Sequence, residues 1–185
     1  MQREVNRLAQ ATLGGSYFFL TKANKMNGLA IDYRSPKSIV TLVAFLVVVI
    51  GMGALIGIGT APGEWYAALN KPPFNPPNWV FGPVWFALYV LIAIAGWRTF
   101  MRDSGGGEMK VWYGQMVLNW IWSPVWFSLH LLWPAFAIIV AIWALIVAFI
   151  VMSRRRDPVS AWLFAPYLAW VSFASLLNLS IAVLN

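Results

Sequence analysis

Four stretches of this 185-residue chain contain no Lys, Arg, Asp or Glu: 38–63, 72–97, 111–153 and 158–185. A helix needs about 20 mostly apolar residues to cross a bilayer. Within the hydrocarbon every backbone polar group must be paired internally, which leaves helices as the economical solution. Three stretches hold one span each, and 111–153 is long enough for two around a hairpin. The expected spans are 38–59, 80–100, 111–128, 134–152 and 160–183. Turns fall at Gly105–Gly107, at "HLLWP" (130–134) and at "SRRRDP" (153–158). The fold class is therefore an all-α integral membrane protein, a five-transmembrane-helix bundle. Residues 38–185 form the membrane domain, and residues 1–37 form a basic, partly amphipathic N-terminal extension.

The charge of +7 sorts by side of the membrane. Arg3, Arg7, Lys22, Lys25, Arg34, Lys37, Arg98, Arg102, Lys110, Arg154, Arg155 and Arg156 share one side, and Lys71 stands alone on the other. This positive-inside asymmetry places the N-terminus in the cytoplasm and the C-terminus opposite. It reads as an inner (cytoplasmic or intracytoplasmic) bacterial membrane, with anionic lipid rather than nucleic acid as the partner of the basic side. In the extension, "LAQATLGGSYFFL" lacks an A-x-A cleavage site. It reads as an interfacial segment, with Leu13, Tyr17, Phe18, Phe19 and Leu20 dipping into the headgroups, rather than as a cleaved signal.

Several chemistries are excluded. The chain has no cysteine and one histidine, His130, in an expected hairpin. No P-loop, zinc motif or internal repeat appears, and every Asp and Glu lies outside the spans, so no metal site or buried proton relay is expected. The loop "WYAALNKPPFNPPNWVFGPVW" (65–85) is different from a soluble turn. Its prolines, Pro72, Pro73, Pro76, Pro77 and Pro83, rule out a continuous helix and make a stiff aromatic connection between spans 1 and 2.

Inside the spans, Trp85 and Tyr89 are four residues apart. Gln115, Asn119 and Trp122 follow i, i+4, i+7, and Trp170, Ala174 and Asn178 follow i, i+4, i+8. Each set shares a helix face. Amides are costly in hydrocarbon, so Gln115, Asn119 and Asn178 should face the bundle interior. Two readings stay open: amides that bond helix to helix, or amides that meet a ligand. The twelve tryptophans favour an interior that holds a large, flat, apolar ligand by stacking.

Three blocks, "WYAALNKPPFNPPNWVFGPVW", "LNWIWSPVWF" (118–127) and "PYLAWVSFASLLN" (166–178), make the chain resemble the TspO/MBR family of tryptophan-rich sensory proteins and translocator proteins. The resemblance covers about 40–180. It implies a five-helix bundle, commonly a homodimer, whose first loop is a lid over a pocket for protoporphyrin IX-like porphyrins, with no obligatory cofactor. By motif, the ligand-binding residues would be Tyr66, Pro72 and Phe74 from the lid and Trp85 and Tyr89 from span 2. Asn119 and Trp122 would come from span 3, Ala137 from span 4, and Trp170 and Ala174 from span 5. Phe74 stands where the family often has Trp. "LLNLSIAVLN" lacks the Tyr and basic residue of the mammalian sterol motif. Loose matches to that motif at Leu13, Tyr17, Lys22 and at Leu29, Tyr33, Lys37 read as chance.

The function expected from the resemblance is a tetrapyrrole-binding sensor or carrier rather than a metabolic enzyme. One alternative is a small accessory subunit that docks through residues 1–37 on a larger membrane complex, such as a photosynthetic pigment–protein complex. A second is a light-dependent porphyrin-degrading protein that uses Trp85, Trp170 and Tyr66 as redox-active side chains.

Overall fold

The computed structural model describes residues 32–185, and the regular elements among these are all helices, without a strand. The interfacial segment expected at Leu13–Leu20, and residues 1–31 of the extension expected to dock, fall outside the described residues. Among the described residues six α-helices follow in order: α1 Pro36–Gly59, α2 Glu64–Ala68, α3 Phe81–Asp103, α4 Gly107–Phe127, α5 Leu132–Ser153 and α6 Pro158–Leu184. A 3-10 turn, Asn78–Val80, leads into α3. Among the described residues, four helices are long and apolar enough to cross a membrane: α1, α3 with its leading turn, α5 and α6. Helix α4 is as long as α5 to within a residue. Its Gln115, Asn119 and four tryptophans lower its hydropathy, although 111–127 carries no charge.

Helix starts follow local chemistry. Pro36 and Pro158 open α1 and α6, where a missing N–H costs nothing. Ser35 and Asp157 cap them, each side chain accepting from the backbone N–H three residues on. Helix α4 begins at Gly107, four residues before the expected span, because its first turn carries Glu108 and Lys110 beyond the apolar stretch. Glu108 is buried there against Arg102.

Helices α4, α5 and α6 pack side by side, and α3 lies against α6; α1 is a flanking helix held chiefly by α3. The buried stripe of α5, Ala135, Ile139, Ile142, Ile146 and Phe149, follows helical spacing. It meets α6 where the rings of Phe149 and Phe164 lie 4.1 Å apart. Two glycines set the closest approaches. A Cβ on Gly96 would fall within the Trp112 indole, and one on Gly53 within the Tyr89 ring. Trp112 is fixed by donating its Nε1–H to the Ile92 carbonyl at 3.0 Å.

Candidate functional site

The connection between α1 and α3 folds as a cap on one end of the bundle. Its prolines permit only α2, a turn in which Asn75 N–H donates to the Pro72 carbonyl (3.0 Å), and the 3-10 turn. Reciprocal amide bonds fasten the cap to Asn185, the residue that follows α6. Asn70 N–H donates to Asn185 Oδ1 (2.9 Å), and Asn185 Nδ2 donates to the Asn70 carbonyl (3.0 Å). Trp65 stacks on His130, ring centroids 4.0 Å apart. His130 sits at φ 57° in the α4–α5 turn, the left-handed conformation that lets so short a connection reverse the chain. Tyr66 points inward and donates its hydroxyl to Asn75 Oδ1 at 3.0 Å. Burial pushes its phenol pKa up, with the Asn75 bond only partly opposing, so it remains a neutral donor.

Beneath the cap lies a cavity of about 730 Å³, within the range of small-molecule sites. Tyr66 closes it from the cap; Trp85 and Tyr89 face it from α3, Asn119, Trp122 and Trp126 from α4, and Trp170, Ala174 and Asn178 from α6. Trp122 and Trp126 stack nearly parallel, ring centroids 6.0 Å apart, and both line the cavity. Phe81 meets Trp170 edge to face at 5.9 Å. No charged side chain lines the cavity among the described residues.

The polar atoms divide into two groups. Tyr89 donates its hydroxyl to Asn119 Oδ1 (3.0 Å), Asn119 Nδ2 donates to the Tyr167 hydroxyl (2.9 Å), and Tyr167 donates to Gln115 Oε1 (3.1 Å). This chain ties α3, α4 and α6 together, so Gln115 and Asn119 act as interhelical bonds. In contrast, both amide atoms of Asn178 and the indole Nε1 atoms of Trp122 and Trp170 are buried with no protein partner. Asn178 is 2% exposed. A buried polar group left unpaired costs about 1–3 kcal/mol, and all three of these residues border the cavity. A ligand with carbonyl-type acceptors could pair the two indoles, and the amide of Asn178 can both donate and accept.

Of the ten residues expected to bind ligand, the structure brings seven to this cavity: Tyr66, Trp85, Tyr89, Asn119, Trp122, Trp170 and Ala174. Three are elsewhere. Pro72 is buried in the cap, and Phe74 is 50% exposed with its ring edge on Phe173. Ala137 is exposed on α5, because the buried stripe passes through Ala135 and Ile139, and a residue two past Ala135 points about 200° away from it. The motif reading omitted Trp126, which is four past Trp122 and so on the same face. It also omitted the α1 wall of Gly53, Ala54 and Gly57.

Fold and site together define a membrane helical bundle with a capped, aromatic, uncharged cavity. Residues 43–184 match the TspO/MBR family, and the chain belongs to it. It is 34% identical over 135 residues to the tryptophan-rich sensory protein of Cereibacter sphaeroides, covering 73% of this chain and 85% of that one. It is 36% identical over 154 residues to the tryptophan-rich protein TspO of Archaeoglobus fulgidus, covering 80% and 99%. The translocator protein of Homo sapiens is 33% identical over 135 residues, covering 69% and 80%.

Proposed function

We propose that this protein is a membrane sensor or carrier for a flat, apolar tetrapyrrole of the protoporphyrin IX kind. One observation carries the proposal: a cavity lined by nearly parallel indoles and edged by three polar side chains without protein partners. Stacking supplies affinity, and the Trp122 and Trp170 indoles with the Asn178 amide orient acceptor groups on the macrocycle. In the same reading α4 is a fifth crossing. The end with Arg98, Arg102, Lys110 and Arg154–Arg156 faces the cytoplasm of a bacterial inner membrane, and the cap with Lys71 faces the other side. Titration of purified protein with protoporphyrin IX should quench tryptophan fluorescence saturably. Trp122→Ala should weaken binding by about 1–3 kcal/mol, the scale of a lost stacking partner with its indole donor. An unaltered titration curve for that variant would remove the cavity from consideration.

The placement of Trp85, Trp170 and Tyr66 around one cavity favours a second reading, light-dependent breakdown of the bound macrocycle. Loss of the porphyrin Soret band under illumination should then slow in a Trp85→Phe/Trp170→Phe variant. Equal bleaching would leave only ordinary photochemistry.

A further inference from the structure

Helices α1 and α3 are joined along only part of their length. Trp97 Nε1–H of α3 donates to the Ser38 carbonyl of α1 at 2.9 Å, Val49 is fully buried, and Gly53 rests on Tyr89. One turn further, the contact stops. A Cβ built on Gly57 would meet no atom within 4 Å, and the same holds for Gly82 in the first turn of α3. Ala54, Gly57, Ile58, Gly82 and Phe86 all line the cavity and yet are exposed, Ile58 at 78% and Phe86 at 59%. The cap-side end of α1 is tied to α4 instead, by a 2.7 Å bond between the Thr60 and Ser123 hydroxyls. The α1–α3 seam is therefore open at the level of the cavity.

The route beneath the cap is fastened by contrast. The Asn70–Asn185 amide pair, the Trp65–His130 stack and the Tyr66–Asn75 bond would all have to yield for a macrocycle to pass. A flat apolar ligand partitions into the bilayer, and the open seam presents glycine and apolar side chains to that phase. We infer that the cavity's ligand enters and leaves sideways from the bilayer, through a portal between α1 and α3 flanked by Gly57 and Gly82. This rests on the cavity being a ligand site, as proposed above.

The chain has no cysteine, so Gly82→Cys creates a unique thiol at the portal. In proteoliposomes, with protoporphyrin IX as probe, exchange rates are measured before and after coupling a bulky maleimide to that thiol. Coupling before loading should slow association at least tenfold, and coupling after loading should trap the porphyrin and slow its release by a similar factor. Gly57→Cys, on the opposite jamb, should behave alike and serves if Gly82→Cys folds poorly. Coupling at Phe74→Cys, on the exposed face of the cap, should alter neither rate. Unaltered rates at both glycine positions overturn the portal, as does coupling that expels bound porphyrin, which would place the thiol in the pocket. Slowed exchange only from the Phe74 position moves the route under the cap. If the unsubstituted protein shows no saturable porphyrin binding, the ligand reading fails and the portal falls with it.

Discussion

The two ends of the bundle solve the problem of burying polar groups in opposite ways. At the charged end, Asp157 binds Arg98 through two bonds of 2.8 and 3.1 Å, accepts from the Ser160 hydroxyl at 2.6 Å, and lies 3.2 Å from Arg102. Glu108 takes the other side of Arg102, with Arg156 at 4.0 Å. Carboxylate and guanidinium pair as ions, and the ends of α3, α4 and α6 are locked together, while the Ser38 and Ser153 hydroxyls nearby are buried without a hydrogen-bond partner. At the capped end, indoles and amides are gathered around space, and Trp122, Trp170 and Asn178 keep unpaired polar atoms. In the proposed reading, one end holds the helices together and the other takes the ligand. Substitutions at the two ends should therefore separate stability from binding.

The largest effect is expected from Asp157→Ala. It removes the α6 cap and leaves Arg98 and Arg102 without their shared carboxylate, a loss of about 3–5 kcal/mol for a buried pair broken from one side. Unfolding in detergent should shift accordingly, while porphyrin affinity of the fraction that remains folded stays within about threefold, since no group at this end lines the cavity. A large affinity loss would mean that the ends are coupled.

Acid should produce a milder version of the same loss. Burial pushes the Asp157 carboxyl up, but the bonds from Arg98 and Ser160 outweigh it and hold its pKa below the ordinary range. A carboxyl depressed in the folded state contributes stability that is present above its unfolded pKa, near 4, and is lost as pH falls through the lower folded value. Melting temperature should thus decline below about pH 4, and the decline should be shallower in Asp157→Asn, which cannot titrate there. Identical slopes would assign the acid sensitivity to other carboxyls.

Gly53→Ala tests where the two regions meet. Its Cβ would enter the space of the Tyr89 ring, so Tyr89 must turn and release Asn119. Overpacking costs about 1–3 kcal/mol, and the cavity wall moves with the ring. Both melting temperature and porphyrin affinity should fall, whereas Gly51→Ala, whose Cβ meets no atom within 4 Å, should change neither. Equal behaviour of the two variants would deny the α1–α3 contact its role.

The sequence made the charged end and the helices readable because charge-free runs and the clustering of basic residues between them are read directly from the order of residues. Spans 1, 2, 4 and 5 were each found within about three residues at either end, and α4 began earlier because Glu108 is neutralised by Arg102, a partner only the fold supplies. The aromatic wall was readable where helical spacing applied, as at Trp85/Tyr89 and Trp170/Ala174. The motif resemblance also named Ala137, Pro72 and Phe74, which do not line the cavity: no second residue fixed the face of Ala137, and the orientation of Pro72 and Phe74 depends on how the cap folds. Nor could spacing distinguish Asn119 from Asn178. Both sit on interior faces, and only the positions of Tyr89 and Tyr167 show that the first is satisfied and the second is not.

That distinction yields the smallest and most discriminating prediction. Asn178→Leu replaces a buried, unpaired amide with an apolar side chain of similar volume. Replacing an unsatisfied polar group in this way removes a desolvation cost instead of a contact, so the ligand-free protein should gain about 1 kcal/mol of stability. Porphyrin binding should weaken by a comparable amount if the amide orients the ligand. Asn119→Leu is the control, since it breaks two bonds that hold α3, α4 and α6 and should lose stability. Thermal unfolding with and without protoporphyrin IX reads both effects in one series. A gain without ligand that shrinks or reverses with ligand is the expected pattern for Asn178. A loss of stability in both conditions would show that Asn178 is part of the scaffold, and the capped end would then resemble the charged end after all.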